Sequence, residues 1–166
     1  MEATRIWLGG RGTGKSSCIG VSTYNKMLKL PRAKGFFSSS TFNQILTKTL
    51  PAVEAMWHRH GLREHISDRD PGHYVVGRKP PKSWEKPYQP PKRYKNVITF
   101  FNGFTIELLS MDRPDLSRGG TYDFGEIDEA ALVKNFQRAR SIFFAKHPSQ
   151  VRTQLDQGSD ERQMFC

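Results

Sequence analysis

Apolar residues in this chain fall into short blocks separated by glycine, proline and charge, and the spacing within each block predicts its element. Ile6, Trp7 and Leu8 make a β-prone run that breaks into glycines, so residues 5–8 are expected to form a short buried strand. Residues 15–30 contain no proline, and Ile19, Met27 and Leu30 fall near helical spacing before Pro31 stops the run. Residues 33–38 read as a second strand closed by Ser38-Ser39-Ser40, with Ser40 or Thr41 available to cap the next helix. Phe42, Ile45, Leu46, Val53 and Trp57 then make an apolar stripe at helical intervals. Pro51 should kink or split that helix, and Gly61 is a reasonable stop.

Further on, residues 97–101 and 104–109 flank Asn102-Gly103, a strong short-range signal for a hairpin. A polar, glycine-terminated loop comes after it at 110–120, and residues 122–127 read as a short strand. Asp123, Gly125 and Glu126 interrupt the continuous apolar run that a buried strand would ideally show. A helix is expected from Ala130 to about Lys146, ended by Pro148, and residues 149–166 are polar without a period, which predicts a frayed tail.

Composition narrows the classes. The 166 residues suffice for one domain, but an apolar fraction of 36% and a mean hydropathy of −0.63 imply a modest core and long exposed segments. A formal net charge of +10 favours polyanionic partners, nucleic acid first, although a merely basic surface would have the same composition. Cys18 and Cys166 stand at opposite ends of the sequence, so neither a disulfide framework nor a zinc site is expected. No apolar run reaches the length of a membrane span, and no signal peptide precedes the first strand; a soluble, intracellular protein is expected.

The glycine-rich break after the first strand carries the chemistry. Gly9-Gly10-Arg11-Gly12-Thr13-Gly14-Lys15-Ser16 fits the phosphate-binding pattern G-x-x-x-x-G-K-[ST] without a mismatch. Glycines let successive N–H groups turn inward toward phosphate oxygens, and the adjoining helix adds the positive end of its dipole. Gly10, Arg11, Gly12, Thr13, Gly14, Lys15, Ser16 and Ser17 are therefore the expected nucleotide-binding residues, with Lys15 on the β- and γ-phosphates and the Ser16 hydroxyl on Mg²⁺. Such a loop needs an acid at the end of a neighbouring strand. Asp128 suits the metal, and Glu129 beside it suits a base that orients and deprotonates water, pointing to hydrolysis rather than transfer. The competing reading is that Asp128-Glu129 caps the helix after it. A cation for the charge on the transferred phosphoryl group is also required; Arg118 is the first candidate, then Arg113 and Arg11.

Between Arg78 and Lys95, five prolines alternate with seven Lys/Arg against the single acid Glu85, with Trp84, Tyr88 and Tyr94 interleaved. This composition predicts an extended surface excursion, either a phosphate-tracking arm or a crossover loop with its rings tucked onto the core. Tucked rings and DNA-contacting cations are the favoured combination. His58, His60, His65, His73 and His147 lack ligand-like spacing and read as solvated or incidental.

Together these motifs resemble one family, the large terminase subunit of tailed bacteriophages, the ATPase that drives DNA into procapsids. The loop with an arginine inside its glycines, Leu50-Pro51 with the Trp57 helix, the Ile98–Gly103 hairpin, Ser110-x-Asp112, Arg118-Gly119 and Tyr122-Asp123-Phe124-Gly125-Glu126-Ile127-Asp128-Glu129-Ala130-Ala131 carry the likeness, over residues 6–140. The resemblance implies an α/β P-loop NTPase fold of the additional-strand type, a three-layer sandwich with a mainly parallel central sheet plus a β-hairpin. It implies ATP hydrolysis powering DNA packaging, with Lys15, Glu129 and Arg118 catalytic, Ser16 and Asp128 on Mg²⁺, and Arg118 offered to a neighbouring subunit. The implied partners are double-stranded DNA, a homo-oligomeric ring on a portal and a small terminase subunit, in the host cytoplasm and without a membrane. Only Met1 to Thr4 stand where the family has an adenine-binding segment, and neither the coupling strand nor a nuclease domain is found after Lys146. The expectation is a partial ATPase domain over 1–147 and an irregular tail over 148–166, from a fragment, a split gene or a degenerate copy. The alternatives are a non-catalytic nucleotide- or DNA-binding remnant and, less favoured, another P-loop phosphotransferase.

Overall fold

The computed structural model describes residues 13–67, 69–112 and 121–129. The strand expected at 5–8, the loop residues Gly10, Arg11 and Gly12, the arginines Arg113 and Arg118, His147, the helix expected at 130–146 and the tail at 148–166 lie outside the described residues.

Helix α1 (Lys15–Lys29) begins directly after Gly14 and ends at Leu30, one residue before Pro31. Strand β1 (Lys34–Ser39) comes next. The single helix expected over the Phe42–Trp57 stripe is divided into three pieces: α2 (Phe42–Gln44), a π-turn (Ile45–Thr49) and α3 (Leu50–Arg59). Thr41 caps the first piece, its Oγ1 accepting from the Gln44 N–H at 3.3 Å. Pro51 explains the division. It has no N–H for the Thr47 carbonyl, and its ring crowds that oxygen, so the backbone widens and Leu50 N–H reaches back five residues to the Ile45 carbonyl. Gly61 (φ 80) closes α3 in the left-handed region.

Among the described residues, strands β2 (Tyr74–Val76), β3 (Val97–Phe100), β4 (Thr105–Ser110) and β5 (Phe124–Ile127) join β1 in a five-stranded sheet in the order β2-β3-β4-β1-β5. The β3–β4 hairpin turns at Asn102-Gly103 as its sequence predicts, with φ 75 at Gly103. The mainly parallel sheet needs correction. Among the described strands β1 runs parallel to β4 and β5, whereas β2–β3 and β3–β4 are antiparallel, so the sheet is mixed. The hairpin is the reason: rather than standing apart, it is built into the sheet through the β4–β1 pairing.

Helices α1 and α3 pack on each other and on the sheet. Gly20 makes their close approach possible, since a Cβ there would lie 2.8 Å from Met56 Cβ. Trp57, wholly buried, is the hub. It donates from Nε1 to the Gly20 carbonyl at 3.2 Å and meets Tyr74 and Phe100 edge-on at 5.1 and 5.0 Å.

The three residues that interrupt the β5 pattern each have a structural reason. Gly125 lies opposite Phe36 and Gly35 opposite Phe124 in the β1–β5 register. A Cβ on Gly125 would come within 2.2 Å of the Phe36 ring, and one on Gly35 within 2.0 Å of the Phe124 ring. Each glycine therefore gives its space to the aromatic across the strand pair. Asp123 accepts from the Lys34 N–H at 2.8 Å. Glu126 is buried against α1, paired with Lys26 and accepting from the Ser22 hydroxyl at 2.8 Å.

The basic excursion is docked rather than loose. Arg32 donates from Nε to the Lys86 carbonyl at 2.7 Å, and the Glu85 N–H donates to the Phe101 carbonyl at 3.0 Å. Its aromatics divide: Trp84 packs edge-on to His65, whereas Tyr88 stays 71% exposed beneath the Arg32 guanidinium at 4.2 Å. The histidines are less incidental than their spacing suggests. His58 shares a 3.1 Å hydrogen bond with the Tyr74 hydroxyl, His60 stacks on Tyr24, and His73 Nδ1 accepts from the Arg63 N–H. No described helix is long and apolar enough to cross a membrane.

Candidate active site

Parallel pairing sends β1 and β5 out of the sheet at the same edge, and the candidate residues gather there. Pairing continues one step past β5, where the Asp128 N–H donates to the Ser38 carbonyl at 2.8 Å. This fixes the acid's backbone at the carboxyl end of the sheet. Helix α1 begins beside it, its N-cap Gly14 held at φ 79, where any residue with a Cβ would be strained. No acidic residue occupies the first turn, and Gly14 has no side chain to cap it. The positive end of the helix thus faces the site without an internal counter-charge from that turn.

A cavity of about 360 Å³ opens between these elements, lined by Thr13, Gly14, Lys15, Ser16, Ser17, Ala52, Asp128 and Glu129. All the sequence-predicted site residues that lie within the described part of the chain border this one space. Ser16 and Asp128, 112 positions apart, are in direct contact: Ser16 Oγ donates to Asp128 Oδ2 at 3.0 Å. Asp128 is only 8% exposed.

Two features have no counterpart among the sequence motifs. Thr49, 3% exposed, also donates to Asp128 Oδ2, at 2.7 Å, and Ala52 from α3 contributes part of the wall. The only sequence signal for either is Pro51, which marks the break in the helix but not the side chains it turns toward the acid. Glu129 supplies the second. It adopts φ 53, a left-handed conformation that costs a non-glycine residue about 1 kcal/mol, and its buried Oε2 has no hydrogen-bond partner among the described residues. A simple helix-capping pair would need neither the strain nor the unmet oxygen.

Hydroxyl and carboxylate oxygens meeting at a helix N-terminus suit a hard divalent cation together with a polyanion. The donor set therefore fits magnesium bound with a nucleotide, with Ser16 Oγ and Asp128 Oδ2 as the protein oxygens that would face it. Among the described residues, no group of three or more His, Cys, Asp or Glu side chains converges to hold a metal without such a ligand.

The class of arrangement is thus an anion-binding helix start facing a strand-end acid pair. No protein-family model matches the chain. Curated relatives include the terminase large subunit of Thermus virus P23-45, 27% identical over 137 residues, and that of Thermus phage G20c, 26% identical over 137 residues. Each alignment takes in 75% of this chain and 24% of the relative, so the chain spans about a quarter of their length. Among solved structures, the large terminase ATPase domain of Thermus phage P74-26 overlays with a TM-score of 0.42 and 21% identity, over 80% of this chain and 53% of that one. The chain is similar to phage terminase large subunits, the family its motifs resemble.

Proposed function

We propose that this chain carries the ATP-hydrolysing site of a phage DNA-packaging motor of the terminase large subunit type. The observation that carries the reading is the 3.0 Å contact between Ser16 Oγ and Asp128 Oδ2, which joins the phosphate-loop motif to the strand-end acid. Gly10 to Ser17 would cradle the phosphates through backbone N–H groups, with Lys15 supplying a positive charge to the terminal phosphates. Ser16 and Asp128 would hold Mg²⁺, which when bound offsets the charge of the phosphate oxygens. Glu129 would orient the attacking water and take its proton on a carboxylate oxygen. The unpartnered Oε2 supports that role, because no described protein donor competes with a water for its lone pairs. Arg118 would complete the site, from this or a neighbouring subunit. Duplex DNA, a homo-oligomeric ring on a portal, a small terminase subunit and the host cytoplasm belong to the same reading.

The test is ATP hydrolysis by the purified chain with and without duplex DNA. DNA-stimulated turnover that falls about 10²- to 10⁴-fold in Glu129→Gln, with nucleotide binding retained, is the expected result. Binding without turnover in the unaltered chain would instead make it a non-catalytic remnant. Phosphate transfer to a small acceptor would sink both.

A further inference from the structure

We propose that Thr49 is a positioning residue for the Asp128 carboxylate, and that the π-turn forced by Pro51 exists in this chain to aim it; the inference rests on the metal-site reading of Ser16 and Asp128. A threonine inside a helix ordinarily returns its hydroxyl proton to the carbonyl four residues back. Two others here do so, Thr23 to Ile19 at 2.6 Å and Thr47 to Asn43 at 2.8 Å. Thr49 does not. It crosses to Asp128 Oδ2 at 2.7 Å, the shorter of the two hydroxyl contacts to that oxygen. Both partners are buried, so the bond is shielded from competition by water.

A carboxylate oxygen offers two lone-pair directions. Thr49 fills one, which leaves the other for the Ser16 proton or for a cation in its place. The two hydroxyls therefore differ in kind. Ser16 stands at the cavity wall and can exchange its bond for a ligand, whereas Thr49 is absent from that wall and keeps the carboxylate turned toward it. Thr49 also hangs on the same segment as Ala52, which does line the cavity. Any shift of the 42–59 segment would therefore move the metal-facing carboxylate as well.

The test measures binding of a fluorescent ADP analogue to the full 166-residue chain, first in EDTA and then in excess Mg²⁺. The ratio of the two Kd values reports the metal's share of binding independently of turnover. Thr49→Val keeps the shape and removes the donor. It is expected to lower the ratio about 10-fold, the usual scale for losing a group that orients a metal ligand, with Kd in EDTA unchanged. Thr49→Ser is expected to restore the ratio to within about twofold, since it returns the hydroxyl. Should valine disturb folding, Thr49→Ala, which also lacks the donor, is read in the same way against Thr49→Ser. An unchanged ratio in Thr49→Val, or an equal loss in Thr49→Ser, overturns the positioning role while leaving the metal site standing. A wild-type chain that binds the analogue with no dependence on Mg²⁺ overturns the metal-site reading, and the role of Thr49 with it.

Discussion

The two ends of the β1–β5 strand pair are built on opposite principles. At the amino end, the charges are compensated internally. Lys34 pairs with Glu107 at 3.1 Å and lies over the Tyr122 ring, Tyr122 donates to Glu107 at 2.9 Å, and Asp123 accepts from the Lys34 backbone. Burial, reinforced by Glu107, holds the Tyr122 hydroxyl above the usual tyrosine range, so it remains a donor at neutral pH. At the carboxyl end, Glu129 sits in a left-handed conformation with a buried oxygen that has no described partner, and Asp128 Oδ2 gathers two hydroxyls. One end is finished without a ligand. The other keeps strain and unmet polarity, which a scaffold serving stability alone would have removed.

Both ends hang from the core behind them, so the largest effect is expected there. Trp57→Ala should cost about 3–5 kcal/mol of stability and abolish nucleotide binding together with the fold, read from urea unfolding. If binding survives a loss of that size, the two ends are less dependent on a common core than their geometry implies. Glu107→Ala comes next. It strands Lys34 and the Tyr122 hydroxyl, and about 1–3 kcal/mol should be lost with little change in hydrolysis per folded molecule. Glu129→Gly is the counterpart at the other end. Relieving the left-handed strain should stabilise the chain by about 1 kcal/mol while hydrolysis is lost, and a destabilised variant would count against the contrast.

The smallest effect concerns Glu54, half-buried on α3 beside Tyr74. Burial raises its carboxyl above the ordinary value of 4.5, and the Tyr74 hydrogen bond offsets only part of that rise. The folded chain therefore binds this proton more tightly than the unfolded chain does. Its contribution is fully present below pH 4.5 and is lost as pH climbs through the raised value. Glu54→Gln should accordingly raise Tm slightly at pH 7, with the gain vanishing in acid. A gain of equal size at pH 4 and pH 7 would assign it to packing instead.

How much of the fold and site is legible in the sequence depends on how far apart the cooperating residues lie. The start of α1, the Thr41 cap, the Asn102-Gly103 turn and the Gly61 stop are written in a few adjacent residues, and their reading needs no partner. Strand β2 is three residues long, too short for alternation to register. Gly125 and Glu126 look like flaws in a strand because their reasons, Phe36 and Lys26, lie about ninety and one hundred positions away. Asp128 and Ser16 can be joined because each belongs to a motif with known chemistry. Thr49 belongs to none. Its bond spans 79 positions and depends on a widened turn that the sequence marks only as a proline in a helix.

The reciprocal glycine–phenylalanine pairs on β1 and β5 have a consequence for how this chain can vary. They act as a two-notch key: sliding β5 by one residue would bring Phe124 onto Phe36 in one direction, or leave Gly125 facing Gly35 in the other. The acid's reach beyond the sheet is thereby indexed to a bulky and a small residue several ångströms behind it. Positions 35 and 124 should tolerate change only as a matched small–large pair, and so should 36 and 125. A library randomised at all four should return folded members in which one partner of each pair stays small.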